Sequence, residues 1–171
     1  MASNGVLRGS DIIAALKKAG VSHVAALPDI TTSHGLLWPL SRDKELKLIR
    51  LCKEDEGVSI CAGLAHTEKR AVLLMQMTGF LDSVNSIRAI ACEYNQPICM
   101  MVGLLGKEPD KQPTESKAFG VRIIEPICDV MGIEHMCLNG EDDVKRVPDA
   151  IAHAYDTSRP LAVLFGKVIE P

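Results

Sequence analysis

Apolar residues fall into short continuous runs that alternate with amphipathic stretches, and this alternation predicts strands each followed by a helix. Ile12, Ile13, Leu16 and Ala19 recur at helical spacing after Ser10 or Asp11, either of which is a candidate N-cap, and Gly20 is placed to end that helix. VSHVAAL then reads as a first strand, closed by Pro28. PDITTSHG forms a polar loop at its carboxyl end, before a short segment, LLWPL, broken by Pro39. Loops so placed are available to a ligand. LKLIRL is a second short strand and leads into an acidic helix start, CKEDEGVSICAGLAH. There Val58, Cys61, Leu64 and Ala65 share one face, and Gly57 and Gly63 are placed to let another backbone approach.

AVLLMQM is a continuous apolar run too short for a helix, as a central parallel strand covered on both faces requires. The turn TGFLDSVN follows and opens a helix carrying Val84, Ile87, Ile90, Ala91 and Tyr94. PICMMVGLLG repeats the buried-strand pattern, and KEPDKQPTESK, with two prolines, predicts a long functional or mobile surface connection. A helix from Ile123 to Met131, a strand IEHMCL, a helix from Glu141 to Tyr155 and a strand LAVLFGKV complete the pattern. The order predicts a three-layer α/β fold, an open parallel sheet of about six strands with helices on both faces, as a single domain over residues 1–171.

A chain of 171 residues that is 47% apolar can bury a substantial core. The net charge of −3 leaves no basic surplus, and the few aromatic residues do not interleave with Lys or Arg, so no nucleic-acid partner is expected. The six cysteines sit in apolar segments with no C-x-x-C pair, which favours buried, reduced thiols over a disulfide framework. MASNGVLRGSD lacks an apolar signal core, and the longest apolar run, Pro97 to Gly106, is about half a membrane span. A soluble, cytoplasmic protein with no membrane partner is the expectation.

Phosphate-loop, dinucleotide, zinc-protease and nucleophile-elbow motifs are all absent from the sequence. The residues most suited to acid–base chemistry are Glu54, Asp55 and Glu56. Three adjacent carboxyl groups repel one another, and one turned into an apolar pocket would hold its proton more tightly. The same cluster also reads as a solvated first helical turn whose acids complement the macrodipole. Beside it, the strand ending in Thr78 and Gly79 opens a new helix at the carboxyl edge of the sheet, where open α/β sheets bind ligands.

Several of these features occur together in one family. Glu54 followed after eight intervening residues by Gly63, then a strand, then Thr78-Gly79 and an Asn six residues on, resembles the pyrimidine-binding half of thiamine diphosphate-dependent enzymes. The sequence is most similar to the sulfopyruvate decarboxylase α subunit and the corresponding half of phosphonopyruvate decarboxylase. Met75, Gln76, Thr78, Gly79, Ser83 and Asn85 match their MQ-x-SG…Asn stretch, and Pro28-Asp29 matches after the first strand. The resemblance implies that Glu54 exchanges a proton with the pyrimidine ring of the cofactor. It further implies that Gln76, Thr78, Gly79 and Asn85 border the cofactor, although Gln76 could equally bond neighbouring backbone and Asn85 could equally be a helix-surface amide. On the loop after the first strand, Asp29, Thr31, Thr32 and His34 could meet a small anionic 2-oxo acid or a partner's active site. Lys107, Lys111 and Lys117 could attract a sulfonate or phosphonate, or merely solubilise the loop.

Leu81-Asp82 stands where the family tends to have Gly-Asn, Met77 replaces a polar residue, and Glu115 lies near a position that is His in the phosphonopyruvate relatives. The G-D-G…N stretch that binds Mg2+ and the diphosphate in this superfamily is missing. The resemblance therefore implies a separate β subunit carrying that domain, an α–β hetero-oligomer, and activity only in the assembly. Carboligation of the acetolactate type is an alternative reaction, and a non-catalytic binding or regulatory module is the alternative outside this chemistry.

Overall fold

The computed structural model describes residues 5–171. Six strands form one all-parallel sheet: β2 (Val21–Ala26), β3 (Lys47–Arg50), β4 (Arg70–Gln76), β5 (Cys99–Gly103), β6 (Glu134–Leu138) and β7 (Leu161–Phe165), in spatial order β3-β2-β4-β5-β7-β6. Helices cover both faces, giving the expected three-layer α/β architecture. The carrying pattern is the strict alternation of the central strands. Val72, Leu74, Cys99, Met101, Leu161 and Val163 enter one core, with α1 (Gly9–Lys18) and α9 (Val147–Thr157). Leu73, Met75, Met100, Val102, Ala162 and Leu164 enter the other, with α3 (Glu54–His66) and α7 (Ile124–Met131). A sheet buried on both faces leaves no polar side to its central strands, hence their unbroken apolar runs.

Strand order reverses in two places. The chain runs from β2 out to β3 and returns on the far side as β4. It later runs from β5 out to β6 and returns as β7 between them. Each reversal opens a crevice at the carboxyl ends of the strands, where connecting segments diverge to opposite faces.

The helices differ from expectation in instructive ways. Helix α1 begins at Gly9, placing Asp11 in its first turn, and neither Ser10 nor Asp11 is the N-cap; Gly20, with φ +75°, ends it. LLWPL is not broken by Pro39: a π-type turn at Ser33–Leu37 continues into α2 (Trp38–Leu40), where Pro sits in the first turn and needs no N–H partner. After β4 the chain is helical at once, as α4 (Met77–Asp82), then α5 (Val84–Ser86) and a π-type stretch, Ile87–Glu93, which leaves Tyr94 outside and exposed. Helix α6 (Phe119–Arg122) precedes α7. The predicted helix from Glu141 is two helices, α8 (Glu141–Val144) and α9, because Pro148 suits only a first turn.

Two short strands, β1 (Leu7–Arg8) and β8 (Ile169–Glu170), pair in parallel as a separate ladder, and the last predicted strand, LAVLFGKV, ends at Phe165, before β8 begins. Close backbone approach occurs beside this ladder rather than at the glycines expected. A Cβ on Gly35 would lie 2.0 Å from the Ile169 carbonyl oxygen. By contrast, Gly57 faces the Leu73 side chain, and Gly63 meets nothing within 4 Å.

All six cysteines are free; Cys61, Cys99 and Cys128 are buried, but Cys52 is exposed in the bend before α3. Burial pushes the Cys61 thiol up to about 12, as expected of an inert core thiol. Among the described residues no helix is long and apolar enough to cross a membrane.

Candidate active site

The three carboxylates at the start of α3 have separate surroundings. The Glu56 carboxylate folds back to accept the N–H groups of Cys52 (3.0 Å) and Lys53 (3.4 Å), closing the N-terminus of the helix. Asp55 pairs with Lys53 at 3.4 Å, and the Lys53 ammonium also reaches Asp82 of α4 at 3.1 Å. These contacts, with Asp82 first, hold Lys53 protonated above its ordinary range. Among the described residues no donor or cation contacts the Glu54 carboxylate.

Glu54 is half-buried and turns toward α4. A Cβ on Gly79 would lie 2.4 Å from both Cγ and Oε1 of Glu54, so the side chain occupies the space that Gly79 leaves vacant. Both carboxylate oxygens are thus left without a hydrogen-bond partner among the described residues, and a carboxyl group is the side chain that can both accept and donate a proton.

Gln76 ends β4 half-buried, its Oε1 accepting from the exposed Thr78 hydroxyl at 2.9 Å. Met77 turns onto α6, where a Cβ on Gly120 would come 2.6 Å from its Sδ. Asn85 is on the exposed side of α5, its Oδ1 accepting from Arg88 Nε and Nη2 at 3.3 and 3.1 Å, while Arg88 also pairs with Glu93. Ser83 is fully buried, and its Oγ finds no partner among the described residues.

The loop after β2 is knotted around one side chain. Asp29 accepts the N–H and hydroxyl of Thr31 at 2.6 and 2.5 Å, and those of Thr32 at 2.8 and 2.5 Å. Its own N–H donates to Ser33 Oγ at 3.0 Å. Asp29 is thus occupied in shaping its loop. Thr31 lies across the end of β5, where a Cβ on Gly103 would be 2.1 Å from its Oγ1, and Gly103 pairs in register with Gln76. His34 is exposed in the π-type turn.

In the long connection after β5, Glu108 gathers Ser116 Oγ (2.8 Å), Lys117 N–H (3.1 Å) and Lys111 Nζ (3.4 Å). These donors, Ser116 first, hold its carboxyl at about 2. Sequence reasoning did not single out Glu108, because its donors lie up to nine residues away in a segment without periodicity. Among the described residues, no three His, Cys, Asp or Glu side chains gather as a metal would require.

No family model matches the chain. It is 28% identical over 161 residues to the sulfopyruvate decarboxylase subunit alpha of Methanocaldococcus jannaschii, covering 93% of this chain and 94% of that one. The chain is similar to sulfopyruvate decarboxylase α subunits. The α subunit of Methanococcus maripaludis is 29% identical over 97 residues, covering 57% of this chain and 58% of its own. A Methanosarcina acetivorans protein named sulfopyruvate decarboxylase is 24% identical over 160 residues, which is 93% of this chain but 40% of that longer one. The match to sulfopyruvate decarboxylase thus extends over nearly the whole chain.

Proposed function

We propose that this chain is the α subunit of a thiamine diphosphate-dependent decarboxylase that converts sulfopyruvate to sulfoacetaldehyde and carbon dioxide. One observation carries the reading: the similarity to α subunits of that enzyme runs almost end to end. The longer Methanosarcina protein, of which this chain matches 40%, has room for a second half within the same polypeptide. That arrangement supports a separate β subunit as the partner here, holding the diphosphate and Mg2+ in an α–β hetero-oligomer. A cytoplasmic setting suits six free thiols.

The residues at the carboxyl edge fit a pyrimidine ring. The Glu54 carboxyl has no hydrogen-bonding obligation to the described residues, and Gly79 presents backbone rather than a side chain beside it. Bound thiamine diphosphate supplies an electron sink for cleavage of the bond to the departing carboxylate. Glu54 is assigned to hold and return the proton at the ring nitrogen, a task only an ionisable group performs. Gly79 keeps the carboxyl in place, Gln76 and Thr78 border the ring, and Asn85 lies at the outer margin. The loop carrying Asp29, Thr31 and His34 is assigned to the substrate side, with Asp29 fixing the loop's shape.

The test is to mix the chain with a sulfopyruvate decarboxylase β subunit and follow carbon dioxide release from sulfopyruvate. Activity that requires both chains, thiamine diphosphate and Mg2+ is expected. Release that is indifferent to thiamine diphosphate, or an assembly that never turns over, contradicts the reading.

A further inference from the structure

The second reversal of strand order carries a cleft of its own. Between the carboxyl ends of β5 and β7 lies an opening of about 410 Å³, bordered by neither Glu54 nor Gly79. Its rim is apolar and open to water: Ile30 and Val168 are each 82% exposed, Val6 44% and Leu105 36%. These four come from four separate chain segments that converge only in the fold. An apolar concavity with few polar groups has the composition of a small-molecule site.

Two half-buried lysines stand in this apolar wall, and one exposed acid, Glu170, also lines it. Lys107 Nζ donates to the Glu108 carbonyl oxygen at 3.0 Å, and Lys167 Nζ to the Gly5 carbonyl oxygen at 3.1 Å. The nearest acidic neighbour in sequence, Glu108, has its carboxylate taken up by Ser116, Lys117 and Lys111. Among the described residues no carboxylate lies within ion-pair distance of Lys107. A positive charge beside low-dielectric walls attracts an anion more strongly than the same charge in open water.

We propose that the cleft binds a small amphiphilic organic anion, its acid head on Lys107 with Lys167 adjacent, and its apolar body against Ile30, Leu105 and Val168. Of the three lysines on the long connection, the geometry selects one: Lys111 is paired with Glu108, Lys117 does not line the cleft, and Lys107 does. The site does not rest on the decarboxylase reading. It borders the candidate active site all the same, because Thr31 lines the cleft while resting on Gly103, the register partner of Gln76. A ligand here would touch the loop shaped by Asp29.

The full chain, labelled with nitrogen-15, is titrated with butane-1-sulfonate while amide shifts are followed; butan-1-ol and sodium sulfate are titrated separately. The expected result is saturable shifts centred on Gly106, Lys107 and Val168, with affinity about tenfold lower in Lys107→Ala and about tenfold lower for either half-probe. Lys107→Arg should bind within about threefold of the native chain, because it keeps the charge. Shifts that do not saturate or that centre elsewhere overturn the proposal. So does equal affinity in Lys107→Ala, and so does butan-1-ol binding as tightly as the sulfonate, which would leave only an apolar groove.

Discussion

Glu54 and Gly79 share one space: the position a Cβ would take on residue 79 is 2.4 Å from the Glu54 Cγ and Oε1. A residue on α3 is thereby locked to the first turn of α4, across two elements that the chain connects only through a strand. Gly79→Ala should displace the carboxyl and lower kcat/KM of the assembled enzyme by about a hundredfold, since misplacement on the ångström scale costs that much. Stability should drop by about 1–3 kcal/mol from the overpacking. In a Glu54→Ala background the clash has no partner, and the same substitution should be close to neutral. Denaturation of the four variants in this cycle measures the coupling.

The Asp29 loop should be as sensitive to a single side chain. Asp29→Ala strips four donors of their acceptor, including the fully buried Thr32. A loss of about 2–4 kcal/mol is expected, with amide exchange accelerated at Thr31, Thr32 and Ser33.

At the opposite edge of the sheet, Tyr155 closes the start of β4. Its hydroxyl accepts the Ala71 N–H at 2.7 Å and donates to the Ala71 carbonyl at 3.3 Å, while the ring carries Arg70 at 5.2 Å. Tyr155→Phe removes only the oxygen yet takes away the partner of the buried Ala71 N–H, so about 1–3 kcal/mol should be lost in chemical denaturation.

Acid should loosen the long connection in a defined window. The Glu108 carboxyl lies at about 2 in the folded chain against an ordinary value of 4.5. A lowered folded value means that its stabilising contribution is full above the ordinary value and fades as pH falls toward the folded one. Amide exchange at Lys117 should therefore rise as pH drops between those values, after correction for intrinsic exchange. In Glu108→Gln the protection should be weak throughout and lack this pH step.

Much of the sheet was legible because β4, β5 and β7 are buried on both faces, and nothing but continuous apolar sequence serves there. β1 and β8 were not, since two residues carry no period and their pairing depends on the chain ends meeting. The glycine prediction failed for a related reason: Gly57 and Gly63 have helical spacing, but whether backbone approaches a glycine depends on what packs over it, and that happens at Gly35. The acidic cluster marked the first turn of α3 without separating its members. Glu56 caps and Asp55 pairs through contacts within the local chain, whereas the setting of Glu54 depends on Gly79, 25 positions further on. The two hydrogen bonds of the Tyr155 hydroxyl to Ala71 span 84 residues and leave no local mark.

The most direct measurement is the turnover of sulfopyruvate by the assembled enzyme carrying Glu54→Gln. The amide keeps the shape that rests on Gly79 but cannot exchange a proton with a ring nitrogen. Loss of activity by about a hundredfold or more, with assembly and thermal stability unchanged, is the expected result. Native turnover in that variant would remove the carboxyl from the chemistry and contradict the account.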